Sequence, residues 1–173
     1  MRISPQALER TLRAQLFNTP DGRYYMRGSA STPCNVYVED PRVSFQQDRI
    51  WVHLHAHAKL GTSVAGACVG VPLGADADVS FVPEAQGESI GFRDARLEHL
   101  SSSKELNFLL IPFLSRKLPA QMKVNAAEMI RKLLVDSTRT TGYDLALDHL
   151  KLHSMLVEGQ SLNVDLDASV SVH

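Results

Sequence analysis

The segment that precedes the C-terminal histidine alternates strictly between apolar and polar side chains. Its apolar positions are Leu162, Val164, Leu166, Ala168, Val170 and Val172, and Asn, Asp or Ser stands between them. Because successive side chains of a strand point to opposite faces, the pattern predicts one long strand with one dry face. We expect this strand to pair antiparallel with roughly residues 148–157, across a turn at Glu158–Gln160.

A second long alternation lies near the middle of the chain. From Ile50 to Lys59 the even positions are apolar, and the odd positions carry Trp51, three histidines and Lys59. The polar residues Gln46–Arg49 precede it and follow another short apolar alternation. The pattern predicts a hairpin whose second strand is long and wet on one face.

Two stretches interrupt the strand pattern. Residues 61–74 are rich in Gly, Ala and Val and contain Pro72, so they predict an irregular junction. The alternation that begins at Ile90 changes phase near Asp94 and Ala95, which predicts a β-bulge of one extra residue.

Helical spacing appears at the N-terminus and between residues 102 and 137. Ser4 and Pro5 predict the start of a first helix, followed by an apolar stripe of Leu8, Leu12 and Leu16. In the second region, two pairs are candidate capping boxes: Ser102 with Glu105, and Asn125 with Glu128. Pro112 predicts a kink or an end of the helix in which it lies.

These elements predict one α+β domain spanning residues 1–173. Long strands joined by short turns are antiparallel, and helices with one apolar stripe need a sheet to cover. The expected fold is a long, strongly twisted antiparallel sheet that curls around the helices.

Composition excludes several functional classes. The chain has 173 residues, of which 44% are hydrophobic and 21% charged, as in an ordinary soluble protein. A net charge of −1 provides no basic field for nucleic acid, and no apolar run approaches the roughly 20 residues of a membrane-spanning helix. The N-terminal sequence has no apolar signal segment. Two interpretations remain, a cytoplasmic protein or an exported domain whose signal peptide has been removed.

The order of elements resembles half of a TULIP-type domain, the tubular lipid-binding fold of the bactericidal/permeability-increasing and SMP-domain families. It is similar to small bacterial envelope lipoproteins of uncharacterised function. The similar segments are the first helix SPQALERTLRAQL, the hairpin PRVSFQQDRIWVHLHAHAKL, the strand and helix IGFRDARLEHLSSSKELNFLLIPFL, and the closing hairpin LKLHSMLVEGQSLNVDLDASVSV. The resemblance implies a TULIP-like half-barrel with an apolar channel between sheet and helix. It also implies a place in the bacterial periplasm or envelope.

The helical region carries the candidate ligand-binding residues. Large or flexible apolar side chains adapt to irregular apolar shapes, and a gap beside them would bind an apolar molecule. The candidates are Phe108, Leu109, Phe113, Met129, Ile130 and Leu133. The leading hypothesis is therefore non-enzymatic binding of a lipid or other apolar ligand. The alternative is an envelope interaction or scaffold domain with a filled core and no ligand.

The sequence contains no recognisable catalytic motif. It has no G-x-S-x-G, S-x-x-K, H-E-x-x-H or phosphate-binding loop, so we expect neither an enzyme nor a cofactor. His53, His55 and His57 share one strand face, and two of them could bind a metal ion. A tetrahedral site needs further ligands from a neighbouring strand, which the sequence does not identify. A solvated face without a metal is the favoured interpretation.

The two cysteines allow two interpretations. Cys34 and Cys68 are 34 positions apart, a spacing that fits no zinc or redox motif. In an oxidising compartment they would be candidates for a disulfide, and otherwise they would be two small buried thiols.

Overall fold

The computed structural model describes residues 1–100 and 103–173. The strands are β1 (Arg2–Ile3), β2 (Arg23–Arg27), β3 (Val36–Gln46), β4 (Arg49–Val64), β5 (Ala67–Gln86), β6 (Ser89–His99), β7 (Val124–Asn125), β8 (Leu145–Glu158) and β9 (Ser161–Val172). The helices are α1 (Pro5–Gln15), α2 (Lys104–Pro112), a π-helical turn (Phe113–Lys117), α3 (Leu118–Gln121) and α4 (Ala126–Thr141).

The strands form two antiparallel sheets. The larger sheet has six strands in the order β2-β3-β4-β5-β6-β7 and curls into a half-barrel, which confirms the predicted α+β fold class. The smaller sheet has the order β1-β9-β8. The predicted closing hairpin is confirmed, with pairs from Leu145–Val172 to Glu158–Ser161, and β1 pairs with β9 as a third strand. The predicted dry face of β9 is only partly confirmed, because Leu162 and Val164 are buried whereas Val170 and Val172 are exposed.

The inner face of the half-barrel holds the core. Alternation along β3, β4 and β5 turns one set of apolar side chains inwards, and the apolar faces of the helices cover them. Fully buried side chains include Val36, Val38, Ile50, Val52, Leu54, Val79, Phe81, Leu106, Leu110, Leu114 and Leu118.

Local signals place most helix ends as predicted. Ser4 Oγ accepts a hydrogen bond from the backbone N–H of Ala7, and Pro5 opens α1. Asn125 Oδ1 accepts from the N–H of Glu128 at 2.9 Å and caps α4. The proposed capping role of Ser102 lies outside the described residues. Ser103 is the N-cap of α2. No helix in the described ranges is both long and apolar enough to span a membrane.

Residues 61–74 form a continuous antiparallel ribbon, so the predicted irregular junction is wrong. The pairing of β4 with β5 runs without a break to the two-residue turn Ala65–Gly66. Gly61 and Gly70 lie opposite each other, where a Cβ on either would collide with the other strand's backbone. The glycines therefore allow two closely approaching strands here, not a loop.

The predicted bulge at Asp94 and Ala95 is confirmed. The register between β5 and β6 shifts there, and Asp94 adopts a φ of 53°. The buried guanidinium of Arg49 donates through Nη1 to Asp94 Oδ2 and through Nε to Ser80 Oγ, both at 2.8 Å. These hydrogen bonds hold the extra residue of the bulge against the sheet. The bond from Arg49 also lowers the pKa of Asp94 below its ordinary value.

Candidate functional site

An apolar groove lies between α2 and the edge strand β2. Its volume is about 550 Å³, within the range of about 300–1,000 Å³ that is typical of ligand sites. The lining residues are Tyr24, Met26, Asn107, Phe108, Leu109, Ile111, Pro112, Phe113 and Lys117.

Pro112 shapes one end of the groove. Proline has no N–H to donate to the carbonyl of Phe108, so the regular helix ends there, as the sequence predicts. The chain widens into the π-helical turn, within which Ser115 Oγ donates to the carbonyl of Ile111 at 2.6 Å. Such turns are frequent at functional sites. Phe113, the first residue of this turn, is buried.

The groove has an aromatic floor and an exposed apolar wall. Phe113 is buried and stacks on Tyr24, with ring centroids 5.2 Å apart. Phe108 is 78% exposed and Ile111 is 41% exposed, which is unusual for such large apolar side chains. Lys117 places its Nζ 4.8 Å from the centroid of the Tyr24 ring. The groove thus combines apolar surface with one cation at its edge.

The six predicted ligand-binding residues do not form one site. Phe108, Leu109 and Phe113 line the groove. Met129 lies in a separate depression of about 500 Å³ beside α1, with polar neighbours. Ile130 is half-buried against the core, and Leu133 is 62% exposed on α4.

The space between the sheet and the helices is filled with side chains. Leu106, Leu110, Leu114 and Leu118 are fully buried there and pack into the core. The groove therefore lies on the outer side of α2. The internal channel implied by the family resemblance would occupy the position of these leucines.

Sequence reasoning missed the contribution of β2 and of the π-helical turn to this groove. Tyr24 and Met26 stand two positions apart on the short strand β2, and both line the groove. Nothing in the local pattern indicated that this face lies beside α2. Lys117 is the last residue of the π-helical turn, where the spacing of a regular α-helix no longer predicts side-chain direction.

A second constellation lies on the outer face of the half-barrel, where three strands contribute polar side chains. In the register between β4 and β5, His53 lies opposite Asp78 and His55 lies opposite Asp76. His53 Nδ1 donates to Asp78 Oδ1 at 2.6 Å, and His55 Nδ1 donates to Asp76 Oδ1. His57 Nε2 lies 3.1 Å from Glu39 Oε1 on β3. Each of these three histidines therefore has a carboxylate partner on a neighbouring strand.

Three of these side chains converge. One ligand atom from each of His53, His55 and Asp76 lies within 4.8 Å of the others. Asp40, whose φ of 52° marks a bulge in β3, approaches His55 Nε2 at 3.9 Å. Burial alone would raise the pKa of Asp40, but ion pairs with Arg13 and Arg42 hold it below its ordinary value.

Cys34 and Cys68 are joined by a disulfide, with their Cα atoms 5.0 Å apart. The bond connects the loop before β3 to the end of the β4–β5 ribbon. The backbone N–H of Lys59 also donates to the carbonyl of Asn35 at 2.8 Å, so this loop is attached to the ribbon twice.

No protein-family model, no curated protein and no solved structure matches this chain.

Proposed function

We propose that the protein binds, without catalysing a reaction, the acyl chain of an anionic amphiphile such as a fatty acid or phospholipid. The groove between α2 and β2 is the proposed site. The observation that carries this proposal is the exposure of Phe108 and Ile111 beside a groove of about 550 Å³. Covering a large apolar side chain is worth about 1.5–3 kcal/mol, so an acyl chain in this groove would be stabilised.

Lys117 suggests the chemistry of the head group. Its exposed ammonium group lies at the edge of the groove, above the Tyr24 ring. An anionic head group at this position would pair with the ammonium group while the acyl chain covers Phe108 and its neighbours. The resemblance to TULIP-type lipid-binding domains supports the same class of ligand.

We further propose that the protein acts in the bacterial envelope. The disulfide between Cys34 and Cys68 supports this location, because structural disulfides persist in oxidising compartments such as the periplasm.

A fluorescent fatty acid, cis-parinaric acid, tests the proposed site. We expect saturable binding, displacement by palmitate, and about tenfold to hundredfold weaker binding by Phe108→Asp, which places a charge in the groove. Leu133→Asp is the matched control, because Leu133 is likewise a large, exposed apolar residue on a helix but lies outside the groove. Equal weakening in both variants, or no saturable binding by the wild type, would overturn the proposal.

A second pair of variants tests the head-group contact. Lys117→Glu should weaken palmitate binding while leaving binding of the alcohol with the same chain length unchanged. Arg116→Glu is the control, because Arg116 precedes Lys117 and is exposed but does not line the groove. If both charge reversals weaken palmitate binding equally, the effect comes from the overall field of the protein and not from Lys117.

The alternative function is that of an interaction domain with a filled core. The fully buried leucines between sheet and helices favour it, as do the exposed valines Val64, Val69 and Val71 on one face of the β4–β5 ribbon. Such a face would be covered by a partner protein. In that case Val69→Ser with Val71→Ser would abolish association, whereas Phe108→Asp would leave it unchanged.

A further inference from the structure

We infer that His53, His55 and Asp76, on the outer face of the half-barrel, form a binding site for a divalent transition-metal ion of the zinc class. This site involves none of the residues that line the groove, so it is independent of the proposed lipid binding.

The ligand atoms are already close to the spacing that a zinc ion requires. Zn–N and Zn–O bonds of about 2.0–2.2 Å place the ligand atoms of a tetrahedral site about 3.4 Å apart. The three atoms lie within 4.8 Å of one another, so small rotations of half-exposed side chains, with the metal replacing the hydrogen bond from His55 Nδ1 to Asp76, would bring them to this spacing. The backbone need not move, because β4 and β5 hold the residues at adjacent positions.

A carboxylate positions one of the two imidazoles. The Asp78 carboxylate accepts the hydrogen bond from His53 Nδ1, which leaves Nε2 of that ring to bind a metal. A carboxylate behind a metal-binding imidazole fixes the ring orientation and makes its other nitrogen more basic. The ring of His55 stands nearly perpendicular to that of His53, with their centroids 5.1 Å apart.

The site is open to ions and water. Gly74 lies opposite His57 and has no side chain, and a depression of about 280 Å³ extends from there to His55 and Asp76. A fourth ligand, water or an exchangeable small molecule, would enter from this side. Two imidazoles favour zinc, copper, nickel or cobalt over magnesium and calcium, which prefer oxygen ligands.

The test is calorimetric titration of tag-free protein with ZnCl₂, repeated with CoCl₂ to follow the visible absorption of bound cobalt. We expect one zinc ion per chain, four-coordinate cobalt, and no displacement by excess MgCl₂ or CaCl₂. His53→Ala, His55→Gln and Asp76→Asn should each weaken zinc binding about tenfold or more, and Asp78→Asn about tenfold to hundredfold. Thermal unfolding of each variant without metal verifies that it is folded.

Two other histidines provide matched controls. His57 is the next outward residue on β4 and bonds Glu39, and His153 on β8 bonds Asp167. Neither belongs to the convergent cluster, so His57→Ala and His153→Ala should bind zinc as the wild type does. The inference fails if the wild type binds no zinc. It also fails if His53→Ala and His55→Gln retain full affinity, or if the control variants lose as much affinity as these two.

Discussion

The two ends of the β4–β5 hairpin continue the same pairing and the same strand faces, but the inward face is buried at one end and exposed at the other. At the embedded end, residues 49–58 and 73–86, the inward face includes Ile50, Leu54 and Phe81, which are fully buried. At the free end, residues 59–72, the same face continues through Val69 and Val71, which are 62% and 61% exposed. Alternation therefore determines which way a side chain points, whereas burial depends on whether another element covers that face.

The largest expected difference between the two ends is in the energy of burial. Phe81→Ala should lower the free energy of unfolding by about 3–5 kcal/mol, because it removes a fully buried aromatic ring and leaves a cavity. Urea denaturation would show this as a lower midpoint with an unchanged slope. A loss below about 1 kcal/mol would mean that the embedded end is no better packed than the free end.

The disulfide is a tertiary connection of the free end, because it attaches this end to the loop before β3. Replacing both cysteines by serine should cost about 3–4 kcal/mol in the loop-closure model, for a sequence separation of 34. Urea denaturation of the wild type with and without dithiothreitol should show the same difference. Dithiothreitol should have no effect on the double variant, and a similar effect there would indicate a cause other than this bond.

Arg49, at the embedded end, connects the hairpin to the bulge of β6. Arg49→Met should lower the free energy of unfolding by about 1.5–3 kcal/mol, because it keeps the apolar stem but removes the charged hydrogen bonds to Ser80 and Asp94. The exposed Arg93 is the control, and Arg93→Met should change stability by less than about 0.5 kcal/mol.

The stability difference between the wild type and Arg49→Met should also depend on pH. The pKa of Asp94 is below its ordinary value in the folded protein, so the ionised carboxylate stabilises the fold at neutral pH. This contribution is lost as the pH falls through the lowered pKa, below about pH 4. The difference in stability between the wild type and Arg49→Met should therefore narrow on acidification, as urea denaturation at pH 7 and pH 3 would measure. A difference that stays constant would contradict the role assigned to this pair.

The smallest effect is expected at the free end itself. Val69→Ser should change the free energy of unfolding by less than about 0.5 kcal/mol, because its side chain is already mostly in contact with water. Thermal or urea denaturation would measure this beside Phe81→Ala. A loss of several kcal/mol would show that the face is covered in solution, and sedimentation at two protein concentrations would then test self-association.

For His53, His55 and His57, the sequence predicts the shared face but not the residues that lie opposite them. Alternation placed His53, His55 and His57 on one outward face, as the structure has them. The sequence does not identify the opposing carboxylates, Asp76 and Asp78, as partners of these histidines. Their alignment with the histidines depends on the register set by the turn at Ala65–Gly66, within a stretch whose glycine and proline content predicted a junction.

In the groove, too, the sequence predicts candidate residues on the helices but not which of them lie together. The sequence selected Phe108, Leu109 and Phe113 as ligand-binding candidates, and these three line one groove. It grouped them with Met129, Ile130 and Leu133 because both helices are apolar. The structure separates the two sets, since α2 borders β2 whereas Met129 lies beside α1.

The sequence by itself determined the features that depend on neighbouring residues in the chain. These are the faces of the strands, the caps of α1 and α4, the end of α2 at Pro112, and the bulge at Asp94. Tertiary structure alone decided which apolar faces are covered, which strand borders α2, and which carboxylates meet the histidines. Side-chain direction follows from a local period of about 2 or 3.6 residues, whereas coverage and register depend on contacts between segments far apart in the chain.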